Sequence, residues 1–430
     1  IGSTGSNHAL AKGPFYVENV PSLTTLTYTA RATGTIDVTT VLSGTVYSRP
    51  DSYFIHRPYD GGVQLGTGGP QHGAQAIRMS KKYIRYQSGK GINYCTGALF
   101  APSFSVQNLT ASGTSVGSYI TVTMDDVDHG CQVGGTVKLS GIETKGYNGT
   151  YTVTDVISER VLRVQAISVL SSTTPTLTTN AQLSLVRWHG ATVRAGTFDD
   201  QNGIFMQYDG QNFAVGRRSS TFQLSGVANI SKDSNVITGT NTRFRDQVKV
   251  GDKIVIKGMT HLVTNVSSNT TMTVNPDYRG ASDAVQAKLC LIQEFIIPQS
   301  QFNIDRLDGT GPSGYRLDLT KMQMIGMQWS WYAVGFIDFM LRGSDGNFIF
   351  FHRIRNSNVN TEAYMRTGNQ PVRYEVINDS AKNKLLNSIT DTQTTIPLED
   401  ATDFPNESGI VMIDNELIAF NGKSGNTLIN

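Results

Sequence analysis

The chain has 430 residues, and at about 100 to 200 residues per domain this length allows two to four domains. Its 36 Lys and Arg residues nearly balance 34 Asp and Glu residues, and a net charge of +2 excludes a whole-protein field that would hold it on nucleic acid or an anionic membrane. Charged residues make up only 16% of the chain, against about 25% in an average soluble protein. Thr, Ser, Asn and Gly fill the difference, and this composition predicts an almost all-β protein with tight turns.

The N-terminal residues 1–53 contain repeated Thr and Gly and few large apolar side chains. Such a segment buries little by itself, so we predict an extended arm that is ordered by neighbouring chains. No basic segment followed by an apolar one opens the chain, which argues against a signal peptide at this end.

A cluster of basic residues with interleaved tyrosines follows the arm. Tyr83 and Tyr86 lie among five cations, which are Arg78, Lys81, Lys82, Arg85 and Lys90. This composition is found in proteins that bind single-stranded nucleic acid. Because the net charge is only +2, we favour a basic strand that contacts an acidic protein partner.

Two segments of the chain repeat one pattern in the same order. Residues 133–141, 151–156 and 161–164 correspond to residues 250–258, 261–266 and 271–274. The repeat predicts two homologous small β-barrel modules, with five core residues in each. These are Val137, Leu139, Val153, Val156 and Val164 in the first, and Ile254, Ile256, Val263, Val266 and Val274 in the second.

Two aromatic-rich hairpins are predicted outside the repeats. The pairs Asp209-Gly210 and Asp345-Gly346 each separate two alternating apolar runs, which is a strong hairpin signal. Alternation over residues 324–341 predicts core strand with buried aromatic and aliphatic side chains, namely Trp329, Trp331, Phe336, Ile337 and Phe339. Three interrupting polar residues make this stretch too short for a membrane helix.

These elements predict an all-β architecture in which modules interrupt a central sandwich. We expect an antiparallel β-sandwich of jelly-roll or lectin-like type, two inserted modules, a linker and the start of a terminal β unit that continues beyond Asn430. Two helical turns are expected near residues 381–387. The predicted ranges are 54–110, 185–224 and 291–376 for the sandwich, 111–184 and 225–290 for the modules, 377–395 for the linker and 396–430 for the terminal unit.

Two glycine motifs match the sequence signatures of a dinucleotide site and of a nucleophile elbow, but the residues that follow them do not predict the helix that either site needs. Residues 309–314 match GxGxxG, but Pro312 lies inside the motif and an alternating strand pattern follows it, so a turn is predicted. Residues 113–117 match GxSxG, but a strand pattern follows where a nucleophile elbow needs a helix.

Candidate metal ligands are few. The side chains of Asp199, Asp200, Asn202 and Asp209 offer oxygen ligands to Ca²⁺ in a lectin-like loop, although the spacing also suits a polar loop before a hairpin. A second acidic group stands beside His129 and Cys131 and comprises Asp125, Asp126 and Asp128. The three cysteines lie far apart, which argues against a disulfide framework and a zinc knuckle.

Several segments together resemble virion structural proteins of large tailed phages of marine bacteria and cyanobacteria. The resemblance covers about residues 54–376 and is carried by residues 73–78, 82–91, 307–314, 364–367 and 371–375. The repeats and residues 414–428 resemble the small β units of phage tail and baseplate proteins. The resemblance implies a place in the tail or baseplate, and it supplies no catalytic residues.

The sequence therefore predicts a non-enzymatic virion component that acts through assembly contacts with other virion proteins, present in several copies. We expect no catalytic, cofactor or metal residues, no cofactor, and neither nucleic acid nor membrane as partner. Two alternatives stay open. One is an adhesin that binds a receptor or host surface glycan, which exposed Trp and Tyr at loop ends would favour. The other is a glycan depolymerase with paired carboxylates brought together by folding.

Overall fold

The structure is a computed structural model, and it describes part of the chain in detail. The described residues are 2–3, 19–22, 25–27, 44–45, 52–57, 61–68, 73–124, 129–158, 160–280, 284–379, 383, 385–401, 404, 406, 409–413 and 416–430. Contacts divide the chain into two units, Ile1–Asp51 and Ser52–Asn430. Most of the predicted N-terminal arm lies outside the described residues.

Strands dominate the described residues. In chain order they are β1 (Gly2–Ser3), β2 (Asn19–Ser22), β3 (Thr25–Thr27), β4 (Gly44–Thr45), β5 (Tyr53–His56), β6 (Val63–Gly66), β7 (Gln75–Ile84), β8 (Ile92–Ala98), β9 (Ser103–Ala111), β10 (Tyr119–Met124), β11 (Thr136–Ile142), β12 (Gly149–Ser158), β13 (Val161–Gln165), β14 (Leu177–Arg187), β15 (Ala191–Phe198), β16 (Gly203–Tyr208), β17 (Phe213–Gln223), β18 (Val227–Ile230), β19 (Val236–Thr240), β20 (Lys253–Ile256), β21 (Met259–Ser268), β22 (Thr271–Asn275), β23 (Ala284–Ala287), β24 (Leu289–Pro298), β25 (Gln323–Trp329), β26 (Ile337–Arg342), β27 (Phe348–Ile354), β28 (Gln370–Asn378), β29 (Thr395–Pro397), β30 (Gly409–Ile413), β31 (Glu416–Phe420), β32 (Gly422–Ser424) and β33 (Thr427–Ile429). Helix in the described residues is limited to α1 (Phe244–Gln247) and a 3₁₀ turn (Gln299–Gln301). The prediction of an all-β fold is confirmed.

In the first unit, β1 pairs with β4 and β2 pairs with β3, both antiparallel.

The sandwich consists of two antiparallel sheets that pack face to face. The long sheet contributes six strands in the order β24-β17-β16-β15-β28-β7, and the short sheet has the order β27-β26-β25-β8. The hydroxyls of Tyr94 in the short sheet and Tyr374 in the long sheet lie 3.2 Å apart. The rings of Phe213 and Phe351 lie 6.3 Å apart across the same interface. A single apolar core therefore joins the two sheets.

Period-two alternation explains which side chains fill this core. Trp329, Ile337 and Phe339 are fully buried, as the sequence predicts. The predicted run is interrupted at residues 330–336, which form a loop between β25 and β26. Trp331 is therefore only half-buried. The prediction for Phe336 was wrong, because its ring lies at the surface under the Arg353 guanidinium.

Both predicted hairpins are present. β16 pairs with β17 across Asp209-Gly210, and β26 pairs with β27 across Asp345-Gly346. Gly210 and Gly346 have φ values of +87° and +81°, a region in which a side chain would be strained.

The first module is a closed six-stranded barrel with the order β10-β13-β12-β11-β14-β9. It lies between β8 of the short sheet and β15 of the long sheet along the chain. Its core is continuous with the core of the sandwich.

The second module repeats the strand order of the first. The second module has the strand order β18-β19-β22-β21-β20-β24. This order corresponds, strand by strand, to β9-β10-β13-β12-β11-β14 in the first module. β23 pairs with β18, and only Lys288 separates β23 from β24. The two together act as one strand that closes the barrel of the second module. The β12–β13 and β21–β22 pairs even share their register shifts, at Val153/Asp155 and Val263/Asn265. The sequence repeat therefore corresponds to one strand order used twice.

Eight of the ten predicted module core residues are fully buried. The other two, Val156 and Val266, are partly buried against the core and occupy equivalent positions beside the second register shift in each module. The second module has a core of its own, and it is inserted at the end of the β17–β24 hairpin.

The terminal unit combines a three-stranded sheet, β29-β33-β32, with the β30–β31 hairpin. Its small core contains Ile396, Leu398, Ala401, Phe420 and Leu428. Much of the expected helix at residues 381–387 lies outside the described residues. The described part contains no helix, and Leu385 instead forms a β-bridge with Leu398.

Candidate functional site

The acidic loop residues serve to cap turns and form ion pairs. Asp199 Oδ1 accepts hydrogen bonds from the backbone N–H groups of Gln201 and Asn202, both at 2.8 Å. Asp209 Oδ1 similarly accepts from two backbone N–H groups of its hairpin turn. Asp200 is bound by Arg373. Asn202 Nδ2 donates to Ser220 Oγ at 3.1 Å, so each of the four predicted Ca²⁺ ligands has a partner within the protein.

The second acidic group, Asp125, Asp126 and Asp128, lies outside the described residues. Its neighbours His129 and Cys131 are buried. His129 Nδ1 accepts from the backbone N–H of Cys131 at 2.9 Å, and His129 Nε2 donates to the carbonyl oxygen of Ser158 at 2.9 Å. In the described part of the chain, no three His, Cys, Asp or Glu side chains come together in a way that would hold a metal ion.

The GxGxxG segment forms the predicted turn. Asp305 Oδ1 and Oδ2 accept from the backbone N–H groups of Leu307 and Ser313, each at 2.8 Å. Burial acts to raise the pKa of Asp305, but these hydrogen bonds outweigh it and hold the pKa below its usual range. No helix follows the motif, so it lacks the helix N-terminus that a dinucleotide pyrophosphate requires.

The GxSxG segment is also a turn. Ser118 N–H donates to the Ser115 carbonyl at 3.1 Å, and β10 begins one residue later. Ser115 Oγ lies 3.2 Å from Ser118 Oγ, with no histidine among its hydrogen-bonding partners. The segment lacks the strand-to-helix turn of a nucleophile elbow.

A buried layer of ion pairs covers the outer face of the long sheet, and sequence analysis missed it. Arg194 bonds to Glu294 and Glu375, Arg218 bonds to Glu294, and Arg373 bonds to Glu375. Each guanidinium also lies over a phenylalanine ring. Arg194 is 4.9 Å from the centre of the Phe205 ring, and Arg218 and Arg373 are 5.3 and 5.2 Å from the centre of the Phe198 ring. A usable signal was present, because Arg194 lies between Val193 and Ala195 in β15, and Arg373 and Glu375 alternate with Val372, Tyr374 and Val376 in β28.

The electrostatics of this layer bear on the depolymerase alternative. Burial acts to raise the pKa of Glu294, but Arg218 and Arg194 outweigh burial and lower it. Asp200 has a lowered pKa for the same reason, with Arg373 as the main cation. Burial raises the pKa of Asp379, which also accepts a hydrogen bond from Thr192. A glycosidase acid needs a raised pKa, which Asp379 has, whereas Glu294 and Asp200 are held in the opposite sense.

The basic cluster lies on β7 and just after it, at the edge of the long sheet. Arg78, Lys81, Lys82 and Arg85 are exposed. Tyr83 donates a hydrogen bond from its hydroxyl to Asp199 at 3.2 Å, so this tyrosine is tied to the adjacent loop.

Aromatic side chains gather at the end of the sandwich near the β25–β26 loop. The ring of Tyr86 lies 5.9 Å from Trp331 and 6.1 Å from Tyr332, in both cases edge to face. Trp331 donates from Nε1 to the carbonyl of Met365 at 3.0 Å. Tyr332 is 53% exposed at the loop tip. One exposed tyrosine, supported by two further aromatic rings, thus stands at this loop end.

A cleft of about 1690 Å³ lies among the β5–β6 hairpin, the first barrel, the sandwich and the terminal unit. Trp188, His189 and Tyr374 line it, and so does Arg78 of β7. Small-molecule pockets usually measure about 300 to 1,000 Å³, so this cleft suits an extended ligand better than a compact one. Burial lowers the pKa of His189.

Comparisons with known proteins return little. No family model matches the chain, and no curated protein matches it. Among solved structures the chain is similar to Phage phi92 endosialidase, with 12% identity, 81% of this chain covered and a TM-score of 0.17. The match spans 64% of that chain, which is less than two thirds of its length. A TM-score of this size supports no argument about fold or activity. In the described residues, no helix is long and apolar enough to cross a membrane.

Proposed function

We propose that the chain is a structural component of a phage virion, associated with the tail or baseplate, and that it acts through contacts with other virion proteins. The resemblance of residues 54–376 to virion proteins of large tailed phages supports this assignment. So does the architecture, in which small β modules are built into a larger sandwich.

The use of polar side chains carries the proposal. In the described residues, the aspartates that sequence analysis weighed as metal ligands cap turns, as Asp199 and Asp209 do, or form an ion pair, as Asp200 does. Three of the four buried arginines of the long sheet, Arg194, Arg218 and Arg373, are bound to carboxylates, and the fourth, Arg217, donates to the amide oxygen of Asn356. A protein whose polar groups fix its own shape is suited to assembly geometry.

The experiment that tests this function is to locate the chain in purified virions. Mass spectrometry of the particles should detect the chain in several copies, and gold-labelled antibodies should mark the tail or baseplate in electron micrographs. Absence from purified particles, with the chain present in the infected-cell lysate, would contradict the proposal.

A second candidate is an adhesin for a host surface glycan, favoured by the aromatic cluster at the sandwich end. Tyr332 is 53% exposed beside Tyr86 and Trp331, and aromatic rings at loop ends are suited to stacking on sugars. A glycan array would test this role, with Tyr332→Ala expected to abolish any signal. Tyr119→Ala, on the first barrel, is the matched control because Tyr119 is 45% exposed.

A further inference from the structure

The strand β7 is the last strand of the long sheet in the part of the chain that the structure describes. β28 is hydrogen-bonded along one side of β7, and among the described strands none is hydrogen-bonded along the other. A sheet edge presents N–H and C=O groups that can pair with a strand of another chain. β7 is 10 residues long, which is long for such an edge.

The charge of this edge is strongly positive. None of the four cations Arg78, Lys81, Lys82 and Arg85 takes part in an ion pair within the described residues. Carboxylates beside this strand have other partners: Asp200 and Glu375 are bound by Arg373, and Asp199 accepts from the Tyr83 hydroxyl and from two backbone N–H groups of its turn. The edge therefore carries uncompensated positive charge.

Apolar side chains stand among these charges. Ile77 is 40% exposed and Met79 is 43% exposed, and both project from one face of β7, two residues apart. In strand addition the main chain gives affinity, and alternate side chains give specificity. Ile77 and Met79 supply an apolar contact for alternate residues of an added strand.

A bulge and two lysines limit what can pair here. The register with β28 shifts between Pro371 and Arg373, opposite Ser80–Lys82. Ser80 Oγ accepts from the Val372 N–H at 3.0 Å in this bulge. Bulges and lysines protect edges from unwanted pairing, and like charge opposes the approach of a second β7. An acidic strand would instead neutralise the lysines.

We propose that an acidic, extended segment of a neighbouring virion protein adds to the regular part of this edge, residues 75–79, as a further strand of the long sheet. Lys81 and Lys82 then flank the added strand as charge partners, and Arg78 lies within the paired stretch. This inference rests on the proposed function, and it names the chemistry of the partner.

Peptide binding to the full chain tests the chemistry. A short peptide of alternating Val and Glu should bind more tightly than its Val and Lys counterpart, and binding should weaken as salt is raised. The double variant Arg78→Glu/Lys82→Glu should weaken binding about tenfold. Lys232→Glu/Lys249→Glu makes the same change of charge on the second module and should leave binding unchanged.

Three outcomes would overturn the inference. They are equal binding of both peptides, tighter binding of single-stranded oligothymidylate than of the acidic peptide, and self-association of the chain that the Arg78→Glu/Lys82→Glu variant abolishes.

Hydrogen exchange separates this inference from the proposed function. The amides of residues 75–79 should exchange more slowly in purified virions than in the free chain. A chain that is present in the virion with unchanged exchange at β7 would refute strand addition and leave the proposed function standing. A chain that is absent from the virion would refute the proposed function itself.

Discussion

At the scale of single residues, burial decides which side chains matter for stability. Trp329 and Trp331 are two positions apart, yet one is fully buried in the core and the other is half-buried at the loop. His352 is also buried, between the rings of Phe302 and Phe339. These positions give two predictions.

Replacing Trp329 by Ala should lower the free energy of unfolding by about 3 to 5 kcal/mol, because a large core side chain is lost and a cavity remains. Tyr332→Ala, at the exposed loop tip, should change it by less than about 0.5 kcal/mol. Urea unfolding followed by tryptophan fluorescence measures both. Equal losses in the two variants would contradict the assignment of Trp329 to the core.

The stability of the protein should fall on acidification through His352. Burial lowers the pKa of His352, and its Nδ1 accepts a hydrogen bond from the Asn303 N–H at 3.3 Å. Because the folded pKa lies below the unfolded value of about 6.5, the unfolded state binds the proton first, and stability is lost as pH falls below about 6.5.

The variant His352→Asn retains an acceptor and does not titrate. Its unfolding free energy should therefore fall less between about pH 7.5 and about pH 5, the range in which a histidine titrates, than that of the parent chain. Denaturant unfolding at the two pH values measures the difference. An identical pH dependence in both proteins would show that His352 does not contribute.

At the scale of elements, the outer face of the long sheet is held by charge as well as by apolar packing. Glu375 is 2% exposed and accepts from both Arg194 and Arg373. The layer therefore depends on charge balance among strands that are distant in sequence.

Glu375→Gln should destabilise the fold by about 3 kcal/mol, because the buried guanidinium groups of Arg194 and Arg373 lose the carboxylate they share and each keeps a less buried partner, Glu294 and Asp200. Asp246→Asn is the control, since it breaks an exposed pair with Arg243 and should cost about 0.5 kcal/mol or less. Thermal and denaturant unfolding measure both. A small effect of Glu375→Gln would mean that the layer tolerates the loss of one charge.

At the scale of the whole molecule, the two modules share a strand order but are attached differently. The core of the first barrel merges with that of the sandwich, whereas the second module has its own core. Contacts between the second module and the sandwich include hydrogen bonds from Gln201 Nε2 to the Gly258 carbonyl and Thr260 Oγ1, at 2.8 and 3.1 Å.

Removal of the second module should therefore leave the sandwich folded. Replacing residues 224–289 by a tight turn joins Gln223 to Cys290, which are already paired in the β17–β24 hairpin. The shortened chain should retain a cooperative unfolding transition and a β-type circular dichroism spectrum. Loss of cooperative unfolding would show that the sandwich needs the module.

The sequence by itself determined the local and repetitive features of this protein. Alternation placed Trp329, Ile337 and Phe339 in the core, and Asp-Gly pairs located both hairpins, because these signals act within a few residues. The repeated pattern predicted two related modules for the same reason, since each module's strands are neighbours along the chain.

Only the tertiary structure decided what depends on distant strands. Arg194, Glu294 and Glu375 come from β15, β24 and β28, and no short-range pattern brings them together. The same holds for β7. Its position at the sheet edge follows from its pairing with β28, which lies almost 300 residues later in the chain. Phe336 shows the converse, because a loop inside an apolar run placed it at the surface. Contacts between distant strands, rather than residue type alone, therefore decide how deeply these groups are buried and which ion-pair partners they have.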